Sequence, residues 1–408
     1  MEGRHHENLN KDELSLELKN EPVVTPAFLT LCAMVFLALC NNTVFYNFHL
    51  YLVDIGFTGK QAGLLVGMYS LAAMTMYALF SQRITRKNAA ICMSSGMIMV
   101  MGCGFLYLIA TSFSSLLAVR IANGIGGFLL MASATVLLVA IIPPQRTGQA
   151  FSLYSVFLLL PYAAMPPLSG AIVHLLPSPV WLYPVSTLGL LPALLCVPYL
   201  RKKAQRNQEA GSDAKRTEHP VSFRQAVHGG VLVLLTVNFV YFLSFSGMFF
   251  LFKGLAVKRA YTDAGLFFTV EMMVMIGIRL VVGRLFDRIS SVVLVSGAFV
   301  ITAVAFWVLQ SQPEQRWLLV TAALFGLGMG FAVPPLNSMM YRISAPEHRG
   351  FNVNMMMLTV HLGTFFGPFL GAWAIETLGY DSFLHIASVV MVSTAVFYLL
   401  LNPRRYLQ

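Results

Sequence analysis

Twelve stretches of about 20 mainly apolar residues follow one another along this 408-residue chain. A stretch of that length crosses the hydrocarbon core of a bilayer as a helix. Lipid offers the backbone no water to bond, so each stretch must close its own hydrogen bonds. The predicted spans are 27–52, 61–81, 89–111, 116–142, 149–175, 180–199, 226–252, 263–285, 291–310, 317–340, 352–375 and 382–401. Composition agrees, with 57% hydrophobic and 11% charged residues where a soluble domain has about 25% charged. Disorder and a compact water-soluble enzyme are both excluded. The fold class is therefore an all-α membrane protein of twelve transmembrane helices, with the lipid bilayer as its first partner.

The first apolar run is too long for a signal peptide and is expected to stay as an uncleaved span. Residues 1–26 read as a polar tail, 27–200 as one six-helix bundle, 201–224 as a hydrophilic linker, 225–402 as a second bundle and 403–408 as a short tail. Of 27 Lys and Arg, Arg120 and Arg279 fall inside spans, and only Lys60, Lys253, Lys258, Arg259 and Arg316 fall on the side opposite both tails. The basic excess on the tail side places both termini in the cytoplasm. It also accounts for the net charge of +10 through membrane orientation rather than nucleic-acid binding. Cys32, Cys40, Cys92, Cys103 and Cys196 all lie in apolar runs. Their spacing suggests packing at lipid depth, with no metal site, redox pair or cofactor.

The two halves repeat at an offset near 202 residues. Ala62-Gly63-Leu64 matches Ala264-Gly265-Leu266, Gly124-Ile125-Gly126 matches Gly326-Leu327-Gly328, and Pro144–Gly148 resembles Pro346–Gly350. Pro167 and Gly170 match Pro368 and Gly371, and residues 78–83 resemble 283–288. Parallel repeats of this kind predict two pseudo-symmetric bundles with a substrate site between them near mid-membrane.

Twelve spans, a six-plus-six repeat and a basic central loop resemble the major facilitator superfamily. Residues 283–288, GRLFDR, resemble its cytoplasmic G-x-L-x-D-R motif, while Ala78 and Gln82 replace the Gly and Asp in the first copy. Residues 120–126, RIANGIG, resemble the R-x-x-x-G-x-G motif of span 4, and 363–371, GTFFGPFLG, the G-x-x-x-G-P-x-x-G motif that drug:proton antiporters carry in span 5. Span 5 here keeps Pro167 and Gly170 and lacks the first Gly. Segments 151–155, 263–269 and Arg349-Gly350 with Leu362-Gly363 are similar to those of bacterial siderophore and opine-metallophore exporters of the staphylopine-exporter type. The resemblance implies gating roles for Gly283, Asp287, Arg288, Pro167, Gly170, Gly367, Pro368 and Gly371.

Transport by alternating access needs no covalent chemistry, so no enzyme activity is expected. It needs a site that opens to each side in turn, biased by a titratable group. Ionisable residues at membrane depth are costly and become functional candidates by default. Glu271 in the middle of span 8 suits proton binding and release; the bland alternative is a fixed ion pair with Arg279 or His361. His361 in span 11 sits at similar depth and is a proton-coupling candidate or a packing histidine. Arg120 is assigned by the resemblance to the cavity, where it would couple protons or attract an anion; the alternative is snorkelling to the interface. Arg279 reads as a structural partner of the adjoining loop. Asn41, Asn42, Asn238, Tyr241 and Asn337 lie in spans that line the cavity in the superfamily and serve either as substrate ligands or as interhelical glue. Gly363, Gly367 and Gly371 form one stripe for close helix approach.

The expectation is a monomeric, proton-coupled secondary transporter of the inner membrane, exporting a small organic anion such as a carboxylate siderophore. A multidrug efflux pump and an importer of sugars or organic acids are the other readings, and a membrane sensor a further class. No G-x-x-x-x-G-K-[ST] loop supports ATP-driven transport.

Overall fold

In the computed structural model, the described residues are 22–142, 147–210, 227–262, 264–281, 290–345 and 348–403. Gly283, Asp287, Arg288, the loop residues Pro144, Gln145, Arg146, Pro346 and Glu347, most of both tails and residues 211–224 of the expected linker lie outside them. Among the described residues, eleven helices are long and apolar enough to cross a membrane. The twelfth, Gly265–Val281, is 17 residues long up to where the description stops.

The spans, in chain order, are α1 (Pro26–Asp54), α2 (Gly59–Phe80), α3 (Ala89–Leu106), α4 (Phe113–Ile141) and α5 (Thr147–Val173). The first half closes with α6 (Pro179–Arg206). The second comprises α7 (Gly229–Lys258), α8 (Gly265–Val281), α9 (Ser291–Ser311), α10 (Leu318–Ile343), α11 (Arg349–Leu378) and α12 (Tyr380–Leu401). Capping boxes start α2, where Thr58 and Gln61 bond each other's backbone N–H, and α4, where Ser112 and Ser115 do the same. Each satisfies two donors that a helix start leaves open.

Three boundaries depart from the prediction. Span 1 is broken by a 3-10 turn, Val44–Asn47. The Thr43 hydroxyl before it donates back to the Leu39 carbonyl at 2.8 Å, and short polar side chains that bond local backbone compete with the helical ladder in this way. Span 6 was expected to end at 199, yet Leu190–Ala210 is a single helix. Residues 201–210 are rich in Arg, Lys, Ala, Gln and Glu, all good helix formers, so the first part of the expected linker is helical. Lys253, counted as a loop residue, lies within α7, which runs on to Lys258.

The 202-residue repeat is written into the packing. A Cβ on Gly63 of α2 would fall 2.6 Å from the Pro368 carbonyl oxygen of α11, and one on Gly265 of α8 would fall 2.5 Å from the Pro167 backbone of α5. Both pairs join one bundle to the other. Within the bundles, a Cβ on Gly124 would meet the Tyr69 carbonyl oxygen at 2.3 Å, and one on Gly326 the Glu271 carbonyl oxygen at 2.5 Å. Each half thus sets α4 on α2, or α10 on α8, through the same glycine. Separate apolar cores fill the first bundle, around Phe28, Met97 and Phe128, and the second, around Phe267, Phe306 and Phe325.

The bundles meet along two seams, α2 with α11 and α5 with α8. At the end where α2 begins and α11 finishes, the broken part of α1 also packs on α7, whereas Pro26–Thr43 packs within its own bundle. Among the described residues, contact between the bundles is therefore densest at that end, called here the Glu376 end. At the other, the Arg342 end, Asn337, Ser338 and Arg342 of α10 are all exposed.

Candidate functional site

Arg120 points into the first bundle. It is 2% exposed, so it does not snorkel to the interface. Its Nε donates to the Leu65 carbonyl at 3.0 Å and its Nη2 to the Val66 carbonyl at 2.6 Å, both on α2. Phe45, Phe48 and Tyr69 put their ring centroids 4.9–5.3 Å from the guanidinium carbon, within cation–π range. The 3-10 turn in α1 brings Phe45 to this place. The remaining nitrogen, Nη1, is buried and makes no hydrogen bond among the described residues. Below it, Asn123 donates to the Tyr107 hydroxyl at 3.4 Å.

Glu271 occupies the corresponding depth of the second bundle and is also 2% exposed. Among the described residues its carboxyl makes no hydrogen bond or ion pair. Arg279, two turns along α8, reaches across the seam instead and donates to the Ser155 carbonyl of α5 at 3.3 Å. His361 stacks its ring on Tyr77 of α2, centroids 5.0 Å apart. Among the described residues the fixed-pair alternatives for Glu271 are thus not formed, and His361 meets Tyr77 instead.

The asparagines divide. Asn41 donates to the Ser186 hydroxyl at 2.9 Å and Asn238 to the Met356 carbonyl and Thr359 hydroxyl at 3.2 and 2.9 Å. Both tie helices of one bundle together. Asn42 lies beside the Tyr162 hydroxyl, and Tyr241 donates to the Met329 carbonyl at 3.3 Å. Asn337 is exposed. Gly367 and Gly371 close on α7, and Pro167 and Pro368 back the two seam glycines, while Gly170 has open space beside it.

Sequence reading missed an aromatic cluster on the seam. Tyr46 packs on Phe249 and Phe268 at 6.2 and 6.0 Å, and Tyr162 on Phe245 and Phe249 at 5.7 and 5.0 Å. Its signal was present in α7, where Tyr241, Phe245 and Phe249 recur every four residues and so share one helix face.

Twelve spans in two repeated bundles, meeting along paired seams with ionisable groups buried in each half, define a multi-pass membrane transporter fold. The Major Facilitator Superfamily model matches residues 27–353 and 262–407, and the chain belongs to that family. It is 17% identical over 352 residues, 85% of this chain and 90% of the other, to an uncharacterized MFS-type transporter of Methanocaldococcus jannaschii. Among solved structures it is similar to a mutant peptide transporter POT in complex with sulfate, with a TM-score of 0.77, 12% identity and coverage of 95% of this chain and 97% of that one. A bacterial homolog of the human lysosomal transporter Spinster, inward-facing and unoccupied, gives 0.71 at 15% identity over 93% and 97%. The nucleoside transporter NupG gives 0.74 at 14% identity over 92% and 100%. At these identities the likeness is one of fold.

Proposed function

We propose that this protein is a proton-coupled secondary transporter of the inner membrane, with both termini cytoplasmic, that exports a small organic anion such as a carboxylate metallophore. Glu271 carries the reading. A buried carboxyl without a hydrogen bond or ion pair among the described residues is free to take and release a proton, and its proton state sets the charge of the second bundle's interior. Arg120 and His361 are the other coupling candidates. Arg120 keeps one buried nitrogen without a carbonyl partner among the described residues, beside the Tyr107 hydroxyl, which suits attraction of an anion in a low-dielectric interior. The dense contacts at the Glu376 end and the exposed polar face of α10 at the other fit a molecule closed to the outside and opening inward. Export of an anion from a negative-inside cell is also favoured by about 2.3 kcal/mol per 100 mV for each charge moved.

The aromatic cluster of Tyr46, Tyr162, Phe245, Phe249 and Phe268 favours a second reading, a multidrug exporter for lipophilic compounds. One experiment separates the two. Medium from cells with and without the gene, grown iron-poor and iron-rich, is profiled for metabolites, and the comparison is repeated with Glu271→Gln. A carboxylate compound that accumulates with the wild type and vanishes with the variant is the expected result. No gene-dependent anion, together with gene-dependent resistance to lipophilic cations, transfers the function to drug efflux.

A further inference from the structure

A cavity of about 490 Å³ lies at the Glu376 end of the second bundle, where α7 and α9 finish and α12 begins. Neither Glu271 nor the seam glycines line it. Lys258, His385 and Asp381 supply its polar lining and Trp307 and Tyr380 its aromatic one. The charges are not balanced. Arg259 bonds Asp381 at 2.8 Å and also donates to the Leu309 carbonyl and the Tyr261 hydroxyl, so that cation and that anion cancel. Lys258 has no ion pair among the described residues; its ammonium stands 5.7 Å from the Tyr380 ring centroid. Gly254 permits this, because a Cβ there would fall 2.0 Å from the Tyr380 hydroxyl. Among the described residues the cavity therefore holds one surplus positive charge, with the His385 ring as a further polar contact.

Its position fixes the kind of anion. Three apolar spans end at this level, which is where headgroups lie, and Trp307 and Tyr380 are the residues that settle at that boundary. Trp307 is 56% exposed and continues the exposed stripe of Val300 and Val304 along α9, three positions that share one helix face. One wall of the cavity thus runs directly into the lipid-facing surface. A free anion would use the ammonium alone. A phospholipid would use both parts, its phosphate beside Lys258 and an acyl chain along Val300, Val304 and Trp307.

We infer that this cavity binds the phosphate of an anionic glycerophospholipid, with Lys258 as its counter-charge and the Trp307 stripe as its acyl track. The test is native mass spectrometry of the purified full-length protein with phosphatidylglycerol, phosphatidylcholine or inorganic phosphate. Retention of phosphatidylglycerol above phosphatidylcholine is expected, with a loss of about fivefold in Lys258→Gln. Trp307→Ala should lower retention of both lipids. Arg316→Gln, which removes an exposed cation at the same end that is paired with Glu314, should change nothing. Equal retention of the two lipids by the wild type, or equal losses in Lys258→Gln and Arg316→Gln, overturns the assignment. Displacement of the lipid by millimolar inorganic phosphate, with Trp307→Ala silent, overturns it in favour of a free-anion site. If Lys258→Gln is poorly folded, Lys258→Arg, which keeps the charge, should hold the preference for phosphatidylglycerol, and loss of that preference in Lys258→Arg overturns the assignment.

Discussion

In the first bundle Gly124 closes on the Tyr69 carbonyl, and in the second Gly326 closes on that of Glu271. The two contacts are related by the 202-residue repeat, so Tyr69 and Glu271 hold the same place in the two halves. Around them the halves diverge. Tyr69 stands 5.3 Å from the Arg120 guanidinium, and its hydroxyl sits where a Cβ on Gly127 would come within 2.2 Å. One repeat after Arg120 stands Ala322, fully buried, and one repeat after Gly127 stands Met329. The second bundle has therefore kept the helix frame, exchanged the aromatic for a carboxyl and removed the cation that would have neutralised it. A symmetric scaffold carries an asymmetric charge: a fixed cation on one side, bonded to α2 carbonyls, and on the other an acid with no partner among the described residues. The fixed group suits a permanent role and the unpaired one a switching role.

The sharpest way to break this comparison is to substitute the two equivalent positions. Glu271→Gln keeps shape and removes titration, and proton-driven flux should fall to background while expression and helical content stay at wild-type level. Tyr69→Phe removes only a hydroxyl at the matching place, one that makes no hydrogen bond among the described residues, and flux should remain within about twofold. Flux assays on both variants across pH 6–8 check the pair. Equal losses in both would mean that the place in the frame matters, and not the acid.

The next largest effect concerns the cation. Arg120→Ala removes two charge-assisted bonds to α2 and should lower unfolding stability by about 3 kcal/mol. Arg120→Lys restores charge without the two-pronged geometry and should recover part of that. The role in anion attraction is read separately, by binding to a panel of substrates matched for size and varied in charge. Carboxylates should weaken more than neutral compounds in Arg120→Ala, and less so in Arg120→Lys, which keeps the charge. If lipophilic cations bind best and neither variant affects them, the anion reading fails and the aromatic cluster becomes the centre of the site.

The sequence made the repeat legible because glycines at Gly63, Gly124, Gly265 and Gly326 mark backbone approaches that no other residue permits. It made Glu271 legible because a carboxyl in an apolar span needs a reason. Arg120 was legible as a buried cation, but its partners were not. They are main-chain carbonyls of Leu65 and Val66, and carbonyls leave no mark in the residue alphabet. The same holds for Arg279 and the Ser155 carbonyl. The break in α1 was hidden for a different reason: an uninterrupted apolar run looks alike whether its ladder is α or 3-10, and only the Asn41-Asn42-Thr43 triplet hinted at competition for the backbone. The aromatic seam depends on which faces of α1, α5, α7 and α8 turn together, which is a tertiary fact.

The symmetry itself is tested by a matched pair. Gly63→Ala forces a methyl into the Pro368 carbonyl, and Gly265→Ala one into the Pro167 backbone, at nearly equal distances. Each should cost about 1–3 kcal/mol, the usual penalty of overpacking. Both should bias the protein away from the state closed at the Glu376 end. Cysteine labelling from that side should rise by similar factors in the two variants. A strong effect at one seam and none at the other would show that one seam alone closes the molecule.

The smallest effect belongs to a contact that, among the described residues, one seam makes and the other does not. Glu376 of α11 accepts a hydrogen bond from the Lys60 backbone N–H at 2.7 Å, at the first turn of α2. A carboxylate there caps a helix N-terminus and meets the positive end of its dipole, and it does so from the other bundle. One repeat earlier, past the end of α5, stands His174, which makes no hydrogen bond among the described residues. Among the described residues, the α2–α11 seam is therefore clamped at its tip and the α5–α8 seam is not. Because Glu376 is exposed, solvent and salt weaken the interaction, and its contribution should be about 0.3–1 kcal/mol. Glu376→Gln removes the charge and keeps the shape. It should raise labelling of a cysteine at Gly59 by about two- to fivefold while leaving the α5–α8 seam unchanged. High salt should do the same to the wild type and nothing further to the variant. Equal opening of both seams in Glu376→Gln would show that they move as one rigid hinge and that the clamp is not local to α2.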